Sequence, residues 1–217
     1  MTYSILARDP KSGVIGGASA TGALCVGGWV IRGDLRAGMS ASQGATPSTM
    51  WGEDVLSQMA AGSSAQSAVH AITSVDKGAA YRQLAAIDLY GNGAVYTGSQ
   101  NGATHGSLIE TDIVVCGNLL SDIKVLNAML IAFKTSEKCF EERLIASLVA
   151  AEKSGGDYRG LQSAALLVYK ADTPPITLRI DYHDSPLNAL QALYEKHCDY
   201  HYQAWRATLP TNEHPER

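Results

Sequence analysis

The chain begins its apolar pattern at once: TYSILAR is rich in β-branched and aromatic residues and predicts a strand from Thr2. DPKSG carries Asp, Pro and Gly as a turn does, and VIGGASAT returns as a second strand, so the first twenty residues predict a β-hairpin. The glycine-rich CVGGWVIRGDLRAGMSASQG predicts a mobile loop and a third strand around AGMSASQ. The period then changes. STMWGEDVLSQMAAG and SSAQSAVHAITSVD each start on serine and predict two successive helices.

The same order recurs in the second half. RQLAAIDL, GAVYTG and TDIVVCG predict three strands, the first two joined through an Asn-Gly turn. SDIKVLNAMLIAFKTS sets Ile123, Leu126, Leu130 and Phe133 on one helical face. SEKCFEERLIASLVAAEKSGGD does the same with Phe140, Leu144, Ser147 and Leu148 before the Gly155-Gly156 stop. LQSAALLVYK and PITLRIDYH predict strands, and SPLNALQALYEKHCDYHYQAW a last helix with Pro186 in its first turn. Strands in runs followed by helices in pairs predict an α+β fold, packed most economically as a four-layer αββα sandwich of two antiparallel sheets flanked by helices. One domain over 1–207 and a disordered tail over 208–217 are expected.

Composition narrows the partners. The 217 residues are 46% hydrophobic and 18% charged, enough to bury one large core, and the formal charge of −4 gives no general reason to bind nucleic acid or anionic lipid. No apolar run reaches the ~18 residues that span a bilayer. The four cysteines are scattered without CxxC spacing and no signal-peptide pattern stands at the N-terminus, which predicts a cytoplasmic protein. The expected partner is a small molecule. Leu190, Leu193, Tyr194 and Trp205 in the C-terminal helix predict a homo-oligomer, most simply a dimer.

Three segments carry a resemblance: TYSILARDPKSGVIG; YRQLAAIDLYGNGAVYTG followed by CGNLL; and GGDYRGLQSAALLV leading to RIDYH. Together they are similar to an uncharacterised prokaryotic family placed among the N-terminal nucleophile (Ntn) hydrolase-like folds. The resemblance implies the αββα sandwich and a superfamily whose enzymes cut amide bonds with an N-terminal Thr, Ser or Cys. It implies no substrate and no cofactor. Where proteasome-like members carry a lysine near the third strand, this chain has Arg32, Asp34 and Arg36, and no lysine lies between Lys11 and Lys77.

The chemistry of Thr2 agrees with that implication. Removal of Met1 would leave a free α-amine, with a pKa near ~8, beside the hydroxyl it must activate, making Thr2 base and nucleophile together. The bland alternative is a β-branched residue that simply starts a strand. GGDYRGLQS puts Asp157, Arg159, Gln162 and Ser163 after a released helix, where Arg159 would hold a ligand carboxylate bidentately or instead brace Asp157. Gln43 and Ser42 on the third strand, and Asn118 after VVCG, are expected to face the same pocket or to serve turn and sheet. His197 and His201 have metal-ligand spacing without a completing shell, so no metal is expected. His183 is an oriented base or a turn residue, and Cys25 and Cys116 read as buried rather than nucleophilic. Two functions follow: an Ntn-type amidohydrolase acting on a small amide through Thr2, or a non-catalytic small-ligand-binding or assembly protein that keeps the fold.

Overall fold

A turn at Asp9 sets up the first hairpin. Its N–H donates to the Val14 carbonyl at 2.8 Å, its own carbonyl accepts from Gly13 N at 2.9 Å, and Gly13 takes the left-handed φ of 72° that the turn needs. On either side lie β1 (Thr2–Arg8) and β2 (Ile15–Thr21), antiparallel from Thr2 opposite Thr21 to Arg8 opposite Ile15. The computed structural model describes residues 2–156 and 160–217. Asp157 and Arg159, two of the expected ligand-binding residues, lie outside the described residues.

The chain continues through α1 (Val26–Trp29), β3 (Ile31–Asp34), β4 (Gly38–Gly44), α2 (Thr49–Ala60) and α3 (Ala65–Thr73). Then come β5 (Arg82–Asp88), β6 (Gly93–Thr97), β7 (Gly106–Glu110), β8 (Ile113–Asn118), α4 (Lys124–Thr135) and α5 (Phe140–Lys153). It closes with β9 (Ser163–Tyr169), β10 (Ile176–Ile180), α6 (Pro186–His197) and α7 (Tyr200–Arg206). Every strand pairing is antiparallel, in a six-stranded sheet of order β10-β9-β2-β1-β8-β7 and a four-stranded sheet of order β3-β4-β5-β6. The α+β class and the antiparallel pairing expected from the sequence are both present.

Three cores hold these elements together. Tyr3, Ile5, Ala18 and Val115 of the larger sheet pack with Phe133 of α4, Leu144 of α5 and Leu190 of α6. Leu84 and Ala86 of the smaller sheet pack with Trp51 and Val55 of α2 and Val69 of α3. The third core joins the sheets to each other, with Leu6, Ile15 and Val114 meeting Ile31, Met39 and Ile87. Strand β1 therefore sends Tyr3 and Ile5 toward helices and Leu6 toward the other sheet, as a period of two demands.

The helix starts are cut as the sequence proposes. Ser48 and Ser64 accept from Trp51 N and Ser67 N at the heads of α2 and α3, and Pro186 opens α6. The C-terminal helix is not one helix but two. Capping groups at Cys198 close α6, and the Asp199 carboxylate opens α7 by accepting from His201 N at 2.9 Å. His197 is buried while His201 is exposed, and no group of three metal-ligating residues occurs among the described residues. Leu190 and Tyr194 lie inside the chain's own core, so of the residues expected to drive assembly Trp205 is the exposed one, at 53%. Tail residues Thr211 and Arg217 bond Asp172. No helix of the described residues is long and apolar enough to cross a membrane.

Candidate active site around Thr2

Antiparallel register stacks residues of adjacent strands side by side on one face. Across β9, β2, β1 and β8 the row that faces the smaller sheet reads Ser163, Thr21, Thr2, Asn118. Thr2 thus sits on an inner strand, only 9% exposed, with its Oγ1 3.0 Å from Thr21 Oγ1. On its other side Asn118 is fully buried, and among the described residues neither its Oδ1 nor its Nδ2 has a hydrogen-bond partner. A buried amide left without a partner costs about 1–3 kcal/mol, so Asn118 is a group that a polar atom brought in from outside the protein would satisfy. Ser163, at the far end of the row, is spent on structure: its Oγ donates to Ala23 O at 2.7 Å and accepts from Val26 N at 3.1 Å.

The next row inward is Ser19, Ser4, Cys116. From it a buried chain of hydrogen bonds crosses to the smaller sheet and back. Ser4 Oγ donates to Gln43 Oε1 at 2.6 Å, and Gln43 Nε2 donates to Gln83 Oε1 at 2.7 Å and to the Thr2 carbonyl at 3.2 Å. Gln83 Nε2 then donates to Gly117 O at 3.1 Å, back on the larger sheet. The network fixes the backbone of Thr2 from below. Burial pushes the Cys116 thiol up to about 12, so at neutral pH it is a neutral packing group and not a nucleophile.

Above Thr2 lies a cavity of about 390 Å³. Thr2 and Thr21 line it together with Leu24, Val26, Trp29, Val30, Pro47 and Leu119. Two wall segments are held in the left-handed region by non-glycine residues, Cys25 at φ 60° and Leu119 at φ 55°. Such conformations persist only where the surrounding structure enforces them, and they cluster at ligand sites. A roomier cavity of about 730 Å³ lies toward the other end of β1, by Arg8 and Asp172. Of the charged residues lining it, Arg8 pairs with Asp112 at 2.8 Å and Asp172 with Arg217 at 3.3 Å, and Glu213 stands beside them.

A model of the family of unknown function DUF1028 matches residues 2–190. The chain belongs to the DUF1028 family. A crystal structure of a DUF1028 protein from Silicibacter pomeroyi is similar over the whole length: 54% sequence identity, a TM-score of 0.96, and coverage of 100% of this chain and 98% of that one. No curated protein matches the chain.

In this DUF1028 chain the residues singled out from sequence take distinct places. Thr2 borders the cavity, Asn118 pairs with Thr2 in register without lining the cavity itself, and Gln43 holds the Thr2 carbonyl from beneath. Gln162 enters through its backbone, its N–H donating to Thr21 O and its carbonyl accepting from His183 N, both at 2.9 Å. Ser42 donates to Ser48 O at 2.6 Å, and His183 Nδ1 accepts from Ser185 N at 2.9 Å, so both serve local structure. Arg32 donates to the Gly28 and Ile31 carbonyls and Asp34 pairs with Arg36, none of them bordering the Thr2 cavity. Sequence reasoning missed Thr21, although the hairpin turn alone places it opposite Thr2. It also missed Trp29, on a single-turn helix with two glycines, and Leu119, in the loop after β8, neither of which has a periodic signal.

Proposed function

We propose that this DUF1028 protein is an Ntn-type amidohydrolase with Thr2 as nucleophile, and that its sheets and helices form the four-layer αββα sandwich of that superfamily. The fold assignment is supported by one apolar core between the sheets and a helix-bearing core on each outer face. The observation that carries the functional proposal is the placement of Thr2. Thr2 borders a cavity, on an inner strand whose backbone is bonded on both edges and braced by Gln43.

With Met1 removed, the Thr2 α-amine takes the hydroxyl proton as Oγ1 attacks the amide carbonyl. The proton passes to the leaving amine, an ester forms at Thr2, and water hydrolyses it to regenerate the threonine. Thr21, 3.0 Å away, orients the hydroxyl, and the Asn118 amide supplies a donor for the developing oxyanion.

The test is intact mass of protein made without an N-terminal tag, followed by trapping with an N-acyl p-nitroanilide. Loss of Met1, an acyl adduct mapped to Thr2, and a fall in turnover of roughly 10³-fold or more in Thr2→Ala are expected. Equal turnover by Thr2→Ala overturns the proposal. A second possibility, ligand binding without chemistry, is favoured by the mainly apolar wall; equal binding by wild type and Thr2→Ala with no turnover would establish it.

A further inference from the structure

Building on the amidohydrolase proposal, we infer that the Thr2 cavity takes the acyl side of an N-acyl amide whose acyl group is an uncharged hydrocarbon, a medium-length alkanoyl or an arylacetyl group. Leu24, Val26, Trp29, Val30, Pro47 and Leu119 surround it, and among the described residues the lining holds no charged side chain. Its polar groups, the hydroxyls of Thr2 and Thr21, sit where the scissile carbonyl must lie.

Leu24 and Trp29 are each 53% exposed, although both border this concave space. Apolar surface left wet at a cavity mouth is area that an apolar ligand removes from water. The wall is also built rather than incidental. Leu119 presents its side chain from a left-handed backbone, as Cys25 does for the segment between Leu24 and Val26. Gly27 packs so tightly on β10 that a Cβ there would come within 2.7 Å of Arg179 Cγ, which fixes the short helix that carries Trp29. Size fits as well: about 390 Å³ corresponds to roughly a dozen water volumes, room for an eight-carbon chain or a phenylacetyl group. Behind Thr2, and not in the lining itself, Asn118 is in register with it and unpartnered at both amide atoms among the described residues, a buried amide beside the point where the substrate's amide must sit.

Untagged protein assayed on acetyl, octanoyl, phenylacetyl and succinyl p-nitroanilides separates the possibilities. Octanoyl or phenylacetyl is expected to exceed acetyl and succinyl in kcat/KM by roughly tenfold or more, since each matched methylene adds to transition-state binding. Trp29→Ala is expected to remove about tenfold of that preference, read as the ratio of octanoyl to acetyl kcat/KM. Preferential cleavage of the succinyl or acetyl substrate overturns the inference and leaves the hydrolase proposal standing. Octanamide binding to Thr2→Ala, followed by calorimetry, gives the converse. If octanamide binds and Trp29→Ala weakens it while no anilide is cleaved, the acyl pocket holds and the hydrolase proposal falls; if octanamide neither binds nor is matched by octanoyl turnover, the acyl pocket falls.

Discussion

At one end of the layer between the sheets, Thr2 stands between Thr21 and Asn118; four residues along the same strand, Leu6 stands between Gly17 and Val114. The rows between change by steps, from hydroxyls and an orphaned amide, through Ser4, Ser19 and Cys116, to aliphatic packing. At the Leu6 end space is filled so closely that a Cβ on Gly17 would lie 2.8 Å from Leu6 Cδ2. At the Thr2 end buried polarity is partly unsatisfied and a cavity opens. The same strands thus hold a part optimised for cohesion and a part that departs from it, and departures of that kind gather where a protein acts rather than merely folds.

Three experiments sharpen or break this contrast. Leu6→Ala has the largest expected effect, a loss of about 2–5 kcal/mol by denaturant titration, because Leu6 is fully buried and the neighbouring sheet cannot collapse onto the gap. A loss under about 1 kcal/mol would mean that the cohesive end is not cohesive. Asn118→Leu should act with the opposite sign. Replacing two unpartnered buried atoms by carbon is expected to raise stability by about 1–2 kcal/mol while turnover falls, and a clear destabilisation would show that Asn118 has a structural partner.

The smallest effect is in pH. The folded Cys116 thiol, pushed up to about 12, lies above its unfolded value, so its contribution is complete below the unfolded pKa and is lost as pH rises toward the folded one. Between pH 9 and 10 wild type should lose about 1 kcal/mol more than Cys116→Val, measured by urea unfolding at both values. Equal losses would place Cys116 in contact with water.

Much of this contrast was legible from residues alone. The DPKSG turn fixed the first hairpin, and with it the pairing of Thr2 with Thr21; serines at Ser48 and Ser64 fixed two helix starts; the Asn-Gly turn placed β5 beside β6. What escaped has physical causes. Strands β3 and β7 are short edge strands, half wet, so their sequences IRGD and GSLIE carry no clean alternation. The helix α1 is a single turn with two glycines inside it, held by packing rather than propensity. Asn118 was picked out by its place after a strand, but its lack of any partner is a property of three dimensions alone. His197 and His201 kept their spacing in sequence and lost it in space when the chain broke at Cys198.

Strand β1 is bonded along both edges and buried on both faces from Thr2 through Ala7. A substitution there has no solvent side toward which to grow, and a slip by one residue would exchange the helix-facing set for the sheet-facing one. In hereditary terms these are six consecutive codons in which most single changes are expected to cost stability at once. Lineages that retune the pocket would therefore do so from its rim, changing what enters while leaving the strand beneath as it was inherited.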